Sequence, residues 1–280
     1  VPEVIWPKVA NITYGTPLTF DRLVGGNANV PGNFECSELP ITLNAGTHKI
    51  AVRFVPENQN IYTIVEEEKD IIVNKADAII NNAPIAINDL VYSGEEIALI
   101  TEGSAEGGKI VYSLDGNTFT ENVPTATNAG EYTVYYKVVG DENHNDVEET
   151  NSIIVIIKKA ILTITAEDKS VTYGEEAPTY SATYSGWKAQ DNEEVLVGEI
   201  TFECEYNTDS KVGTYAININ GVEAQNYEIT FVSGVLSVNK ADATITNTPN
   251  AINDLVYSGE EQTLITEGSA EGGKIVYSLD

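Results

Sequence analysis

The sequence has very little cysteine and histidine and no methionine. Its 280 residues include two cysteines and two histidines. Cys36 and Cys204 fall in different repeats by the division given below, which excludes a disulfide within one repeat. His48 and His144 are separated in the same way, so no histidine is expected beside a nucleophile and an orienting acid. We therefore expect neither a disulfide-held fold nor a catalytic triad.

Long apolar runs and basic residues are also scarce. The longest apolar run, residues 153–157, is far shorter than the roughly 20 residues that a membrane span needs. Lysine and arginine number 15 against 43 acidic residues, which gives a formal net charge of −28. Such a charge repels nucleic acids and anionic membranes. We predict no nucleic-acid partner and no membrane insertion, whereas divalent cations such as calcium stay open as partners.

Tyrosine and β-branched residues are abundant, which is typical of strands. Apolar and polar residues alternate in residues 49–54, 132–138, 162–165 and 215–219, and this alternation predicts strands with one inward face. Clusters of Gly, Asn, Asp and Pro separate the strands at the spacing typical of a sandwich. Only residues 188–196 indicate a possible short helix.

The second half of the chain contains a near-copy of an earlier segment. Residues 74–115 recur as residues 239–280, and six of the 42 aligned positions differ. Because the second copy breaks off partway through a repeat, we expect the chain to be a fragment of a longer array. Alone, the partial copy would have unpaired strand edges, so we expect it to be disordered unless another chain or further residues complete it.

A weaker set of motifs recurs in the same order along the chain. Each repeat opens with Tyr-Gly or Tyr-Ser-Gly, continues with a glycine that begins a strand, then has an asparagine-rich turn, and closes with Lys-Ala. The opening tyrosines are Tyr14, Tyr92, Tyr173 and Tyr257, and the closing lysines are Lys75, Lys159 and Lys240. The motifs therefore mark the beginning and end of successive domains.

The predicted domains are residues 1–76, 77–160 and 161–241, followed by the truncated repeat 242–280. The last strand of each repeat leads through Lys-Ala directly into the first strand of the next. Such short connections limit hinge motion. We expect an all-β chain whose small domains are arranged end to end as a rod, with neighbouring repeats of the same chain as partners.

These residues resemble two families of bacterial surface repeats. The first repeat, with its motifs at 12–15, 43–48 and a closing Val-Asn-Lys-Ala, is similar to bacterial Ig-like repeats of large exoproteins. The third, with motifs at 172–174, 184–186 and 234–238, resembles MBG (YGX-type) domains of adhesin-like proteins. The middle repeat is similar to both families. The resemblance implies Ig-like sandwiches or, in the third repeat, a β-grasp-like unit with a short helix.

The resemblance also implies an extracellular place, on a bacterial cell surface or secreted, and no enzymatic activity. Our first hypothesis is a structural stalk or spacer of an adhesin-like protein. The alternative is an adhesive module that recognises a host glycan or matrix protein through repeated weak sites. An accessory region of a hydrolase is a third hypothesis. Trp6 and Trp187 are expected in repeat cores, since each lies within the signature of its own repeat.

One acidic turn is a candidate calcium site. Residues 141–149 offer alternate oxygen ligands from Asp141, Asn143 and Asn145. The turn lacks the glycine and the glutamate that a calcium loop has at its sixth and twelfth positions. Because all three complete repeats have an asparagine turn here, a structural turn and a weak calcium site both stay open. We expect no other cofactor and no catalytic residue.

Residues 103–109 fit the spacing of a phosphate-binding loop. Ile110 stands where a Ser or Thr should bind magnesium, and the segment continues as a predicted strand instead of a helix. The sequence therefore predicts a turn between strands and no phosphate site.

Overall fold

The computed structural model describes residues 1–279. Within this range the chain is built from strands, and its helices are two single 3-10 turns at Phe20–Arg22 and Glu193–Val195. No helix in these residues has the length and apolar character of a membrane span. The chain forms two compact units, Val1–Lys158 and Lys159–Asp280, each described by itself. The all-β prediction is confirmed.

The first repeat is built around a sheet of four strands. Its strands are β1 (Val4–Ile5), β2 (Lys8–Val9), β3 (Ile12–Thr13), β4 (Leu23–Val24), β5 (Asn27–Ala28), β6 (Gly32–Glu35), β7 (Gly46–Pro56) and β8 (Val65–Asn74). The sheet order is β3-β8-β7-β6, in which only β3 and β8 are parallel. Alternation along β7 buries Ile50, Val52 and Phe54. Ile71 and Val73 of β8 complete the centre of this core.

The second repeat has the same sheet. A short strand, β9 (Ala76–Asp77), leads into it. Its further strands are β10 (Ile79–Asn82), β11 (Leu90–Val91), β12 (Ile97–Ala98), β13 (Ser104–Glu106), β14 (Gly108–Ser113), β15 (Thr125–Ala126), β16 (Gly130–Gly140), β17 (His144–Asn145) and β18 (Val147–Lys158). The order β11-β18-β16-β14, again with one parallel pair, matches the first repeat strand for strand.

The third repeat is a sandwich of two sheets. Its strands are β19 (Ala160–Ala166), β20 (Lys169–Thr172), β21 (Ala182–Ser185), β22 (Val197–Glu203), β23 (Gly213–Glu223), β24 (Tyr227–Val232) and β25 (Gly234–Asn239). The sheet β20-β25-β23-β22 repeats the common order, and β21-β19-β24 forms the other sheet. Leu162 and Ile164 of β19 are buried together with Ile217 and Leu236 of the common sheet. The predicted helix shrinks to one 3-10 turn, which favours the Ig-like over the β-grasp-like alternative.

The partial fourth repeat contains one hairpin, β26 (Thr244–Asn247) with β27 (Ser269–Glu271). Its register matches that of β10 with β13 in the second repeat. The segments that correspond to β11 and β14 are not strands here. Their partner strands in the second repeat are β18 and β16, and the copy has no counterpart of either. Tyr257 is consequently 95% exposed, whereas its counterpart Tyr92 is 6% exposed.

The recurring Tyr-Gly motif ends the parallel strand of the common sheet. Tyr14, Tyr92 and Tyr173 each donate the backbone N–H, over 2.9 Å, to the carbonyl of the last residue of the closing strand. The next glycines, Gly15, Gly94, Gly174 and Gly259, have φ values of 85°, 81°, 87° and 79°. Other residues rarely adopt this left-handed conformation. The motif is therefore a structural turn in every repeat.

Candidate functional site: the junction between the first two repeats

The closing Lys-Ala of the first repeat lies against the asparagine-rich turn of the second. This turn connects β16 to β18 and contains β17. Strand β9 pairs in parallel with β17, with Ala76 opposite His144 and Asp77 opposite Asn145. The Ala76 N–H also donates to the carbonyl of Asn143 over 3.0 Å. The connection between the repeats is thus itself a paired strand and not a free linker.

The side chain of Lys75 forms hydrogen bonds to the same turn. Its Nζ donates to the carbonyl oxygens of Asp141, at 2.9 Å, and His144, at 3.1 Å. Hydrogen bonds from a charged donor are stronger than those between neutral groups, although exposure to solvent weakens these two. One lysine therefore holds both ends of the turn.

The second closing motif makes two corresponding contacts inside the second compact unit. Lys159 Nζ donates to the carbonyl of Ala224 over 2.9 Å. The Ala160 N–H donates to the carbonyl of Asn226, also over 2.9 Å. Ala224 and Asn226 belong to the asparagine-rich turn of the third repeat. Lys-Ala therefore binds the turn of the following repeat at two places in the chain.

The Asn143 side chain joins the turn to a different part of the first repeat. Its Oδ1 accepts a hydrogen bond of 2.8 Å from the Ala45 N–H, which is partly buried. Ala45 immediately precedes the glycine that begins β7. Asn145 adds a bond inside the second repeat, from its Nδ2 to Asp77 Oδ1 over 3.0 Å, directly after the connection between the repeats. Since a buried N–H needs a partner, Asn143 satisfies a group that the first repeat leaves open.

His144 makes an aromatic contact across the junction. Its ring lies edge-on to Tyr14, with centroids 5.2 Å apart. It also sits over Gly107, where any Cβ would overlap the imidazole. Its Nδ1 lies 2.7 Å from Asp141 Oδ1. This hydrogen bond, with one from the Asn143 N–H, holds the pKa of Asp141 below its usual range. The opening tyrosine of one repeat thus packs on the turn of the next.

The three predicted calcium ligands are brought together at this junction. Asp141 Oδ1 accepts hydrogen bonds from His144 and from the Asn143 backbone, and Asn143 Oδ1 accepts one from Ala45. Asn145 bonds to Asp77 through its amide nitrogen. Within residues 1–279, no three His, Cys, Asp or Glu side chains are grouped to hold a metal ion. The turn has a structural use, and the calcium site stays a prediction.

The remaining candidates have structural contacts inside single repeats. Residues 103–109, which the sequence predicts to be a turn and not a phosphate site, contain β13, the turn at Gly107 and the start of β14, and Lys109 pairs with Glu121 at 2.8 Å. Trp6 packs against the first repeat's core. Trp187 stacks on Tyr184, with ring centroids 5.7 Å apart. Neither Cys36 nor Cys204 forms a disulfide.

His48 occupies a position that other repeats fill with tyrosine, as the sequence indicates. Its Nε2 donates to the carbonyl four residues earlier, over 2.7 Å. Tyr132 and Tyr215 donate their hydroxyls to the carbonyl four residues earlier, over 2.8 and 2.7 Å. All three side chains close the loop before the long strand that follows the glycine. His48 is therefore a loop-closing residue of the first repeat.

Sequence reasoning missed an open cleft in the first repeat, with a volume of about 650 Å³. Its phenylalanines are far apart in the sequence, so no single loop shows an aromatic cluster. A usable signal was present, because residues 23–34 carry no charge in a strongly acidic chain. The absence of charge therefore marks a segment that differs from the rest of the chain.

Comparison with known proteins identifies the family of the third repeat. Residues 162–237 match the family model of the MBG domain (YGX type), which confirms the resemblance of the third repeat. No curated protein matches the chain.

Among solved structures, the chain is similar to the fibronectin(III)-like modules of Clostridium thermocellum CbhA. The identity is 13%, the TM-score is 0.22, and the match covers 56% of this chain and 94% of that one. It is also similar to Drosophila N-cadherin EC1-3, with 12% identity, a TM-score of 0.25, and coverage of 86% and 89%. At such TM-scores neither likeness is evidence for the fold assignment, which rests on the strand pairings above.

Proposed function

We propose that this chain is a non-catalytic structural spacer of a bacterial cell-surface or secreted adhesin-like protein, with its repeats joined head to tail. The family match and the β-sandwich repeats fit a repeat module of a surface protein. The junction between the first two repeats is the observation that carries the proposal. Its contacts come from the recurring motifs themselves, so each motif does more than stabilise its own repeat.

The junction supports a spacer because it leaves little freedom between two neighbouring domains. Lys75 and Ala76 of the first repeat donate hydrogen bonds to the turn, and Asn143 of the turn accepts one from the first repeat. Tyr14 packs on the histidine of the same turn. In arrays of this kind each repeat depends only on its neighbours, so length can change by whole repeats. The near-identical copy of residues 74–115 at 239–280 fits such growth.

The net charge supports the same role. An excess of 28 negative charges spread along the chain makes the repeats repel one another wherever they are not bonded. Such repulsion opposes collapse and association of chains. An extended, soluble spacer outside the cell is the use that fits this charge.

Small-angle X-ray scattering of the purified chain tests the proposal. A compact chain of this length would have a radius of gyration of about 19 Å. The proposal predicts a value well above that, at ordinary salt as well as at high salt, since it assigns the extended shape to junction bonds and not to repulsion alone. A value near that of a compact chain would contradict it.

A further inference from the structure

The common sheet of the third repeat ends in a strand with an open edge. This strand, β22, is the last in the order β20-β25-β23-β22 and pairs with β23 along one edge. Within residues 1–279, no strand pairs with its other edge. The corresponding strand of the second repeat, β14, is closed by its own chain, since Tyr112 and Thr120 exchange two backbone hydrogen bonds of 2.7 and 2.9 Å. The outer edge of β22 can therefore accept another strand.

An apolar groove lies beside this open edge. It has a volume of about 320 Å³, and both sheets of the sandwich contribute to its walls. Ala182 and Tyr184 line it from β21, and Ile200 and Phe202 line it from β22. Each pair is two positions apart, so its side chains share one face of their strand. A strand added to β22 would place alternate side chains against this groove.

The segment around β22 is strongly acidic. Residues 189–210 include seven acidic residues and no Lys, Arg or His. Glu199 and Glu203 lie on the exposed face of β22, and neither carboxylate has a hydrogen bond or ion pair within residues 1–279. Glu193 adds a carboxylate to the lining of the groove. These charges attract a basic strand and repel a second copy of this acidic chain.

β22 has few of the features that protect edge strands from pairing. Protected edges are often very short, or they carry proline, lysine or an inward-pointing charge. β22 spans seven residues and has none of these three residue features. Its register with β23 shifts between Gly198 and Thr201, and residues 201–203 pair regularly after the shift. Its acidic side chains oppose pairing with copies of the same chain and leave the edge open to a basic partner.

We propose that β22 binds an extended segment of a basic partner protein by strand addition. The main chain of the segment bonds to the open edge, its apolar side chains cover the groove, and its basic side chains pair with Glu199 and Glu203. A small molecule in the groove is the competing occupant, but it would leave the strand edge and both carboxylates without a use. The proposal goes beyond the spacer role, which needs no ligand. The two fail separately, because the scattering experiment contains no peptide.

Fluorescence anisotropy of a labelled peptide, titrated with the full chain, tests this inference. The probe is Gly-Lys-Val-Lys-Val-Lys-Val-Lys-Gly with blocked ends, which alternates basic and apolar side chains. We expect saturable binding. The control peptide has the same sequence with every Lys and Val N-methylated, so it keeps all side chains and charges but loses the main-chain donors of a strand. Its binding should be weaker by at least about tenfold, because main-chain hydrogen bonds supply affinity in strand addition.

Glu199→Gln combined with Glu203→Gln removes two carboxylates from the exposed face of β22. We expect the affinity to fall about fivefold, as the loss of two exposed ion pairs gives. The matched control combines Glu148→Gln with Glu149→Gln, at two exposed residues of β18 in the second repeat. It changes the net charge equally, so its affinity should change by less than about twofold. Thermal unfolding shows whether each variant is folded.

Hydrogen exchange shows where the peptide binds and does not depend on any substitution. Saturating peptide should slow amide exchange in residues 197–203 and leave residues 147–158 unchanged. The proposal is overturned if the peptide does not bind, if the N-methylated peptide binds equally well, or if exchange in residues 197–203 stays the same. Equal weakening by the two pairs of substitutions would also overturn it, because binding would then follow net charge alone.

Discussion

Replacing Asn143 with alanine removes a side chain of the second repeat whose main partner lies in the first. The Ala45 N–H then loses its acceptor at 2.8 Å. Leaving a buried donor unsatisfied costs about 1–3 kcal/mol. Because this N–H is only partly buried, water can replace some of the lost bond, and we expect about 1 kcal/mol. The loss should appear in the stability of the first repeat, although the substitution lies in the second.

The two tryptophans provide a way to measure this. Trp6 packs in the first repeat and Trp187 in the third. In a Trp187→Phe background, fluorescence during urea unfolding reports on the first repeat alone. A repeat of this size has an m-value of about 1 kcal/mol/M. The Trp6 midpoint should therefore fall by about 1 M urea in the Asn143→Ala variant.

Asn122→Ala is the matched control. Asn122 is an exposed asparagine of the second repeat whose side chain has no hydrogen bond within residues 1–279, so the Trp6 midpoint should not move. An unchanged Trp6 midpoint in Asn143→Ala, with the second repeat still folded, would refute the claim that Asn143 couples the repeats.

Three further predictions concern the same region and the partial repeat. Gly107→Ala should destabilise the second repeat by about 1–3 kcal/mol, since φ is 75° and a Cβ would displace the His144 ring; an unchanged melting temperature would count against the seating of that ring. The hydrogen bond from His144 lowers the pKa of Asp141, so the stabilisation from this carboxylate is present above its unfolded pKa of about 3.9 and is lost as pH falls through the lower pKa of the folded state. At pH values below about 4, the urea midpoint of Trp6 should therefore fall more steeply with pH in the unsubstituted chain than in Asp141→Asn. Parallel curves for the two proteins would contradict this. Adding a copy of residues 116–160 after the last residue should bury Tyr257 and slow hydrogen exchange across the partial repeat, whereas unchanged exchange would show that the two copies do not fold alike.

Much of the fold follows from local patterns in the sequence. The alternation in residues 49–54 predicts the inward face of β7, and Ile50, Val52 and Phe54 are buried as it requires. The turn glycines are recognisable because a left-handed backbone conformation strongly favours one residue type. The prediction of a possible helix over residues 188–196 was too long. The structure has a single 3-10 turn here, at Glu193–Val195, whose N-terminus is capped by the Asn192 side chain.

The use of the motifs at the junction could not be predicted in the same way. The bond from Ala45 to Asn143 joins residues in different repeats, and its existence depends on how two folded domains meet. Sequence reasoning recognised Lys-Ala and the asparagine turn as recurring features but assigned each to its own repeat. The cleft was missed for a similar reason, because Phe20, Phe34 and Phe54 meet only after folding.

The most direct test of the central claim is scattering from a chain lengthened by whole repeats. Inserting a second copy of residues 77–241 after Ala241 adds two repeats to three and a half. If the repeats join end to end, the radius of gyration should rise about 1.6-fold, in proportion to their number. A rise of only about 1.2-fold, which a compact chain of that length would give, would contradict the account.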